Sequence, residues 1–312
     1  MPPPVRAAKR RRNKQTPVKE VQLSVQNFLS LVQIGIATKN RWGDLRITLE
    51  KVRDFGLGGL RILIYDDCSD QPCPFDIQAI CSGAELKRFD LSRGYITRRN
   101  EIAAAMDAKY YLSLDDDSFP HAGSLEAAVE YAESLPDNFC LGFPIYEPSI
   151  NKPFDESLLA KPYQTQSFIG CAHLLDRQKF LELGGYREEL IHQTEEGEVA
   201  VRAFQSGLLC RRFPGFQITH MVTNVGRNHN RIAFFSARNT LLWKDWYVPP
   251  QLRSGRIGRT LSGRFCYFAL TRCPGHLRGS VAGLRDIRRY KSFRRPLSRV
   301  QYRDWLNLPV TK

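Results

Sequence analysis

The chain has 312 residues, 42% of them hydrophobic and 25% charged, a balance that suits one large globular domain or two small ones. No apolar run approaches the roughly 20 residues that a membrane-spanning helix needs, and the basic opening after Met-Pro-Pro-Pro lacks the apolar stretch of a secretory signal. The formal charge of +14 is uneven: residues 1–20 hold seven basic residues against one acidic, residues 251–312 hold fifteen against two, and the middle holds 24 against 29.

A domain built to bind nucleic acid is basic across its folded face. Here the excess lies at the two ends of an acidic centre, which argues against nucleic acid as the partner. The expected place is the cytoplasm, where the eight cysteines would be reduced thiols. Cys68, Cys73 and Cys81 are close in sequence, but no CxxC pair or nearby histidine accompanies them as a zinc site would require.

Three regions follow. Residues 1–30 form a basic tail whose first twenty residues, rich in proline and charge, are predicted to be disordered. Residues 31–250 carry an alternating α/β pattern. Val32–Ala37 reads as a short buried strand; Leu45, Leu49, Val52 and Phe55 then recur at helical spacing, and Gly56, Gly58 and Gly59 end that helix. Leu60–Tyr65 is a second strand running into Asp66-Asp67-Cys68-Ser69-Asp70, a helix is predicted over Ile96–Ala108, and Tyr110–Leu114 is a third strand running into Asp115-Asp116-Asp117. Strands alternating with helices predict a mostly parallel sheet covered on both faces, with ligands beyond the strand C-terminal ends. Thr38, Asn40, Asp66, Asp67 and Asp115–Asp117 all fall at such ends and are expected to share one cleft. Neither a GxGxxG nor a P-loop pattern occurs.

Three consecutive aspartates after a buried strand repel one another, and a hard divalent cation such as Mg²⁺ or Mn²⁺ offsets that cost. The alternative is a solvated acidic turn capping a helix that begins near Pro120. Further on, Thr194 is a plausible N-cap for a helix over Glu195–Gln205 ended by Gly207, with Glu198 and Arg202 as an i,i+4 pair and Val199 and Ala203 facing the core. Acidic first-turn residues such as Glu196 also serve stability alone. His220 ends a strand over Phe216–His220, where it is either a structural group or a metal ligand.

Together these segments resemble glycosyltransferase family 2, whose members adopt the GT-A fold, over about residues 31–250. Ile34-Gly-Ile-Ala-Thr38-Lys-Asn40-Arg41 is similar to the family's opening strand and turn, and Asp66-Asp67-Cys68-Ser69-Asp70 to its nucleotide motif. Gly94 with Arg98-Arg99-Asn100 resembles the segment near the donor. Asp115-Asp116-Asp117 resembles the DxD metal motif, and Gly184-Gly185-Tyr186 followed by Glu195-Glu196-Gly-Glu198-Val-Ala-Val-Arg202 resembles the segment that carries the base. Gly226-Arg227, Arg238-Asn239 and the basic tail look most like bacterial members that build cell-surface polysaccharide, including rhamnosyltransferase-like proteins.

The resemblance implies an inverting hexosyl- or deoxyhexosyltransferase using a nucleotide-diphosphate sugar and a glycan or lipid-linked acceptor. Thr38, Asn40, Asp66 and Asp67 would hold the nucleotide, with Arg99, Asn100, Asp115 and Asp116 near the donor. Asp117 and His220 would hold the metal, and Glu196 would be the base, standing where the family usually has aspartate. Cys68 replaces the usual glycine, so that turn is expected to differ. Two other readings are a nucleotidyltransferase of related fold, for which Thr38–Gly43 is a poor phosphate loop, and a basic nucleic-acid-binding protein without catalysis. Residues 251–312 mix arginine with aromatic and apolar residues, a composition that suits contact with an anionic membrane surface. The alternative is a basic helical appendage on the domain. Gly255, Gly258, Gly263, Gly275, Gly279 and Gly283 predict several short helices there.

Overall fold

The structure, a computed structural model, describes residues 25–148, 160–222 and 228–310. The reading of residues 1–20 as disordered and the Gly226-Arg227 pair thus lie outside the described residues. In chain order the elements are α1 (Val25–Leu31), β1 (Val32–Thr38), α2 (Trp42–Asp54), β2 (Ile62–Asp66), β3 (Ala84–Arg88), α3 (Tyr95–Ala105), β4 (Tyr110–Asp115), β5 (Ser118–Gly123), α4 (Leu125–Glu133), β6 (Asn138–Gly142) and β7 (Ile145–Tyr146). They continue with β8 (Tyr163–Thr165), β9 (Ala172–Asp176), α5 (Arg177–Glu182), α6 (Glu195–Gln205), β10 (Leu209–Arg212), β11 (Phe216–His220), α7 (His229–Tyr247), α8 (Pro250–Thr271), α9 (Gly275–Arg289) and α10 (Arg299–Asn307).

The main sheet has the order β3-β2-β1-β4-β9-β6-β10-β8, and a small sheet has the order β5-β11-β7. Six of the eight main strands share one direction; β9 and β8 run against their neighbours. The central strands are apolar on both faces, as a sheet covered on both sides demands. Ile62, Ile64, Leu112 and Leu114 point into one core with Leu49 of α2 and Val129 of α4. Leu63, Tyr65 and Tyr111 point into the other, with Ile102 of α3, Val199 of α6 and Trp246 of α7. This is the layered architecture expected above, a mostly parallel sheet between helices with a helical C-terminal extension.

Three local expectations are corrected. No helix begins near Pro120: residues 118–123 form β5, an edge strand pairing antiparallel with β11. Proline is tolerated at such an edge, and the following helix starts later, capped by Ser124, whose side chain accepts from the Ala127 amide. Thr194 precedes α6 but makes no side-chain cap, because its backbone is left-handed (φ 80°). The third correction is α8, one helix of 22 residues running through Gly255, Gly258 and Gly263. Those glycines face open space, so each costs only its helix propensity, about 1 kcal/mol against alanine. Pro250 at the first turn favours the start, and Arg264 ties the helix to Ser236 and Thr240 of α7.

The glycines of α9 have the opposite role. A Cβ on Gly275 or Gly279 would land on the carbonyl oxygens of Asn230 or Phe234, and one on Gly283 would lie 2.9 Å from a Leu241 methyl. Spaced four apart, the three form a smooth stripe that lets α7 and α9 approach backbone to backbone. We expect Gly279→Ala to destabilise the fold by about 1–3 kcal/mol through overpacking. Gly258→Ala in α8 is expected to be neutral or stabilising by up to about 1 kcal/mol. Urea unfolding of the two variants measures the contrast, and equal effects would refute it.

Candidate active site

Register gathers the polar strand ends. Thr38 pairs with Asp66 across β1–β2, and Ala37 with Asp115 across β1–β4. Just beyond, the Thr38 hydroxyl donates to Asp116 Oδ2 at 2.8 Å. His220, the last residue of β11, lies opposite Ser118 and so beside Asp117. The small sheet therefore delivers the imidazole to the aspartate triplet.

The three aspartates have different surroundings. Asp115 is partly open and accepts from Arg99. Asp116 is buried, and burial pushes its carboxyl up to about 7 although Arg41 at 3.0 Å and Thr38 pull it down. Asp117 is also buried, but there the pull of His220 and Arg41 outweighs burial and takes it down to about 2. Its oxygens lie 3.4 Å from His220 Nε2 and 2.7 Å from Arg41 Nη2. Burial lowers the His220 pKa, but Asp117 and Cys171 outweigh it and push it up to about 11. Arg41, part of the Thr-x-Asn-Arg turn but not assigned a role from sequence, is thus the cation that bridges two of the three aspartates. A basic residue after a strand end gave no sign of which carboxylates it would meet.

Asp115, Cys171 and His220 each place one ligand atom within 4.8 Å of the others. Asp115 and His220 supply a carboxylate and an imidazole, donors that fit a hard or borderline divalent cation, and Asp117 lies beside His220. The Cys171 thiol is a poorer donor for such an ion, and burial raises its pKa.

Other predicted residues are tied into the scaffold. Asp67 accepts from Ser92, from the amides of Arg93 and Gly94, and from Arg98 Nε at 2.7 Å. Burial raises its pKa, but these donors outweigh it and hold the carboxyl below its ordinary range. It fixes the entry to α3. Asp66 accepts from the amide and hydroxyl of Ser69, while its buried Oδ2 has no hydrogen-bond partner among the described residues and lies 3.5 Å from Arg88 Nε. Asn40 (φ 57°) joins the two loops, exchanging side-chain bonds with Asp70 and donating its amide to Ser69. Cys68 takes the positive φ (66°) that glycine would supply. Asn100 clasps the backbone N–H and C=O of Tyr186, both at 2.8 Å. A Cβ on Gly185 would crowd that amide at 2.7 Å, whereas Gly184 faces open space and serves its positive φ of 82°.

On the opposite wall, α6 presents two carboxylates. Glu195 is buried and accepts from the Tyr95 hydroxyl at 2.6 Å. Glu196 keeps 20% of its side chain exposed, and its Oε1 lies 3.9 Å from Arg99 Nη1. Burial and the neighbouring Glu195 push Glu196 well above the usual carboxylate range, against the pull of Arg99. Opposite, a Cβ on Gly170 would collide with Glu196 Oε1, so a bare backbone keeps that space clear. Glu198 is structural: Arg187, Arg202 and Tyr247 all bind it.

The loop before α6 is strained. Ile191, Gln193 and Thr194 all have positive φ (64°, 70° and 80°), a costly state for β-branched residues. Asn239 of α7 holds it, its Nδ2 lying 2.8–2.9 Å from the carbonyl oxygens of Leu190, His192 and Gln193. Arg238 adds a bond to Glu189 O and an ion pair with Asp286. We expect Asn239→Ala to cost about 1–3 kcal/mol, the penalty for buried carbonyls left without a donor. It should loosen residues 190–194, measurable as faster amide exchange at Glu195 and Glu196. Unchanged exchange there would refute the role.

Residues 33–184 match the family model described as Glycosyl transferase family 2, just under half of the chain. No curated protein matches by sequence. Among solved structures, GalNAc-T7 with UDP, GalNAc and Mn²⁺ is 16% identical with a TM-score of 0.54, the match covering 68% of this chain and 50% of that one. The present chain thus spans half the length of that protein. The mannosyltransferase PcManGT from Pyrobaculum calidifontis, in complex with GDP-Man and Mn²⁺, is 15% identical with a TM-score of 0.53, covering 82% of this chain and 74% of that one. S. aureus TarS is 12% identical with a TM-score of 0.51, covering 69% and 39%. At these identities the structural likeness speaks for the fold alone, a GT-A fold, and the family match is a resemblance of residues 33–184 to glycosyl transferase family 2.

Proposed function

We propose that this chain transfers a hexosyl or deoxyhexosyl group from a nucleotide-diphosphate sugar to an acceptor hydroxyl with inversion, in the synthesis of cell-surface glycan. One observation carries the reading. The buried Arg99 guanidinium bonds Asp115 of the aspartate triplet on one side and lies 3.9 Å from Glu196 on the other, so both carboxylate groups line one cleft. Asp115, Asp117 and His220 would hold a divalent ion, Mg²⁺ or Mn²⁺, which when bound neutralises the diphosphate charge. Thr38, Asn40, Asp66 and Asp67 would shape the nucleotide side, the last two largely through the loops they fix.

Glu196 is the better placed of the two α6 carboxylates to act as base, because Glu195 is sequestered by Tyr95. Glu196 takes the acceptor hydroxyl proton as the oxygen bonds to the anomeric carbon. The bond from that carbon to the diphosphate oxygen breaks on the opposite face, and the nucleoside diphosphate leaves. Arg99 is positioned to stabilise charge in the cleft. Residues 251–312 would meet an anionic membrane surface through α8, which exposes Phe265, Tyr267 and Leu270 among its arginines. No helix among the described residues is long and apolar enough to cross a membrane.

Metal dependence is tested by assaying turnover of nucleotide sugars in excess EDTA and in the Asp117→Ala variant, both expected to abolish most activity. Full turnover in EDTA would refute the metal reading. Glu196→Gln should retain folding and donor binding while cutting turnover by about 10²–10⁴-fold. Because the base works deprotonated and its pKa is raised, the rate should fall as pH drops through a value above the ordinary glutamate value of about 4.3. A pH–rate profile without that acid limb, or normal turnover by Glu196→Gln, would place the base elsewhere.

A further inference from the structure

A groove of about 770 Å³ opens between the first turns of α7 and the outer face of α9, away from the strand ends. Phe234, Phe235, Leu277 and Val281 give it an apolar lining. Around them stand Arg231, Arg278 and Arg285, with no acidic side chain among the lining residues. None of the three arginines makes an ion pair among the described residues, whereas Arg238, two turns on from Arg231, is neutralised by Asp286. Three like charges around an apolar trough are complementary to an anion that carries hydrocarbon: the guanidinium forks suit phosphate oxygens, and the rings and aliphatic groups suit a chain.

The groove is also linked to the carboxylate cleft. Phe235 packs on His192 with ring centroids 6.1 Å apart, and His192 packs on Tyr95 at 5.5 Å. The Tyr95 hydroxyl in turn donates to Glu195. The Phe235 end of the groove is thus two ring contacts from the carboxylate pair, with the strained 191–194 loop as the partition.

We propose that this groove binds the phosphate headgroup and adjoining hydrocarbon of a membrane lipid phosphate. On the transferase reading above, that molecule is the lipid-linked acceptor or its carrier. The α7–α9 glycine stripe brings the two helices together so that one trough is lined by both, and the cations on its rim set the ligand's polarity.

The test uses the full chain and three soluble probes: dodecyl phosphate below its micelle concentration, inorganic phosphate, and the uncharged dodecyl maltoside. Calorimetry should show saturable binding of dodecyl phosphate, with the other two weaker by about tenfold or more, since charged hydrogen bonds and buried chain each contribute. Arg231→Ser combined with Arg278→Ser should weaken dodecyl phosphate by about tenfold or more. Val281→Trp, at an exposed position (69%), should block the trough without disturbing the fold, checked by circular dichroism. Inorganic phosphate binding as tightly as dodecyl phosphate would overturn the proposal in favour of a free-anion site. Equal binding of the maltoside, or unchanged affinity in both variants, would overturn it outright. Binding of UDP and GDP with Mn²⁺ is measured in parallel on the same proteins. Loss of nucleotide binding in the parent chain with dodecyl phosphate binding intact would sink the transferase reading and leave the groove's ligand class standing.

Discussion

The Arg99 guanidinium, 4% exposed, is held between Asp115 at the end of β4 and the Glu195–Glu196 pair at the start of α6. Taking a cation out of water costs several kcal/mol, offset only where opposing charges and hydrogen bonds are well placed. The carboxylates face the same arithmetic: without Arg99, Glu195 and Glu196 would stand side by side in a poorly solvated place. The guanidinium thus sets the width of the cleft. Its other nitrogen, Nη1, is buried, has no hydrogen-bond partner among the described residues, and faces Glu195 and Glu196 at 3.8 and 3.9 Å. Arg41 performs the same service at the other end, neutralising Asp116 and Asp117 together.

Around this charge framework the scaffold supplies rigidity by unusual local means. Asp67 spends its oxygens organising residues 92–94 and the start of α3, the helix that carries Arg99. Asn100, the next residue, clamps Tyr186 and so the approach to α6. Asn239 reaches from α7 to hold three carbonyl groups of a loop whose backbone is otherwise unfavourable. Both walls of the cleft are therefore fixed by amide and carboxylate side chains bonded to backbone, an arrangement that resists small displacements.

The C-terminal segment is part of this support. Leu297, Tyr302 and Trp305 are buried in the same core as Trp246 and Val248 of the α7 end, and the amides of Arg295 and Leu297 donate to Trp246 and Tyr247. The α9 glycines seat that helix against α7, so the strut behind the 189–194 loop is braced from outside. α8, tied to α7 through Arg264, has no buried residue and carries the exposed Phe265 and Tyr267.

The sequence by itself determined the alternation of strands and helices, because apolar runs bounded by glycine or acidic turns are local signals. Val32–Thr38, Tyr110–Asp115, Phe216–His220 and Glu195–Gln205 were readable within a residue or so for that reason. The arrival of Thr38, Asp66, Asp115 and Glu196 near one cleft followed from strand ends and a family pattern. Tertiary structure alone decided which polar residue faces the cleft and which is scaffold. Asp67 and Asn100 look like ligands in a motif, yet register puts backbone amides and carbonyl groups against them. Glu195 and Glu196 are adjacent and identical in type, and only the position of Tyr95, a hundred residues earlier, separates the sequestered carboxylate from the open one. The glycines of α8 and α9 read alike in the sequence, as breaks in a helix, yet have opposite roles, because propensity is a property of the residue whereas close approach depends on what packs against it. Arg41 belongs with these: its charge was plain in the sequence, and its two carboxylate partners were set by a sheet that brings residues 75 positions apart into contact.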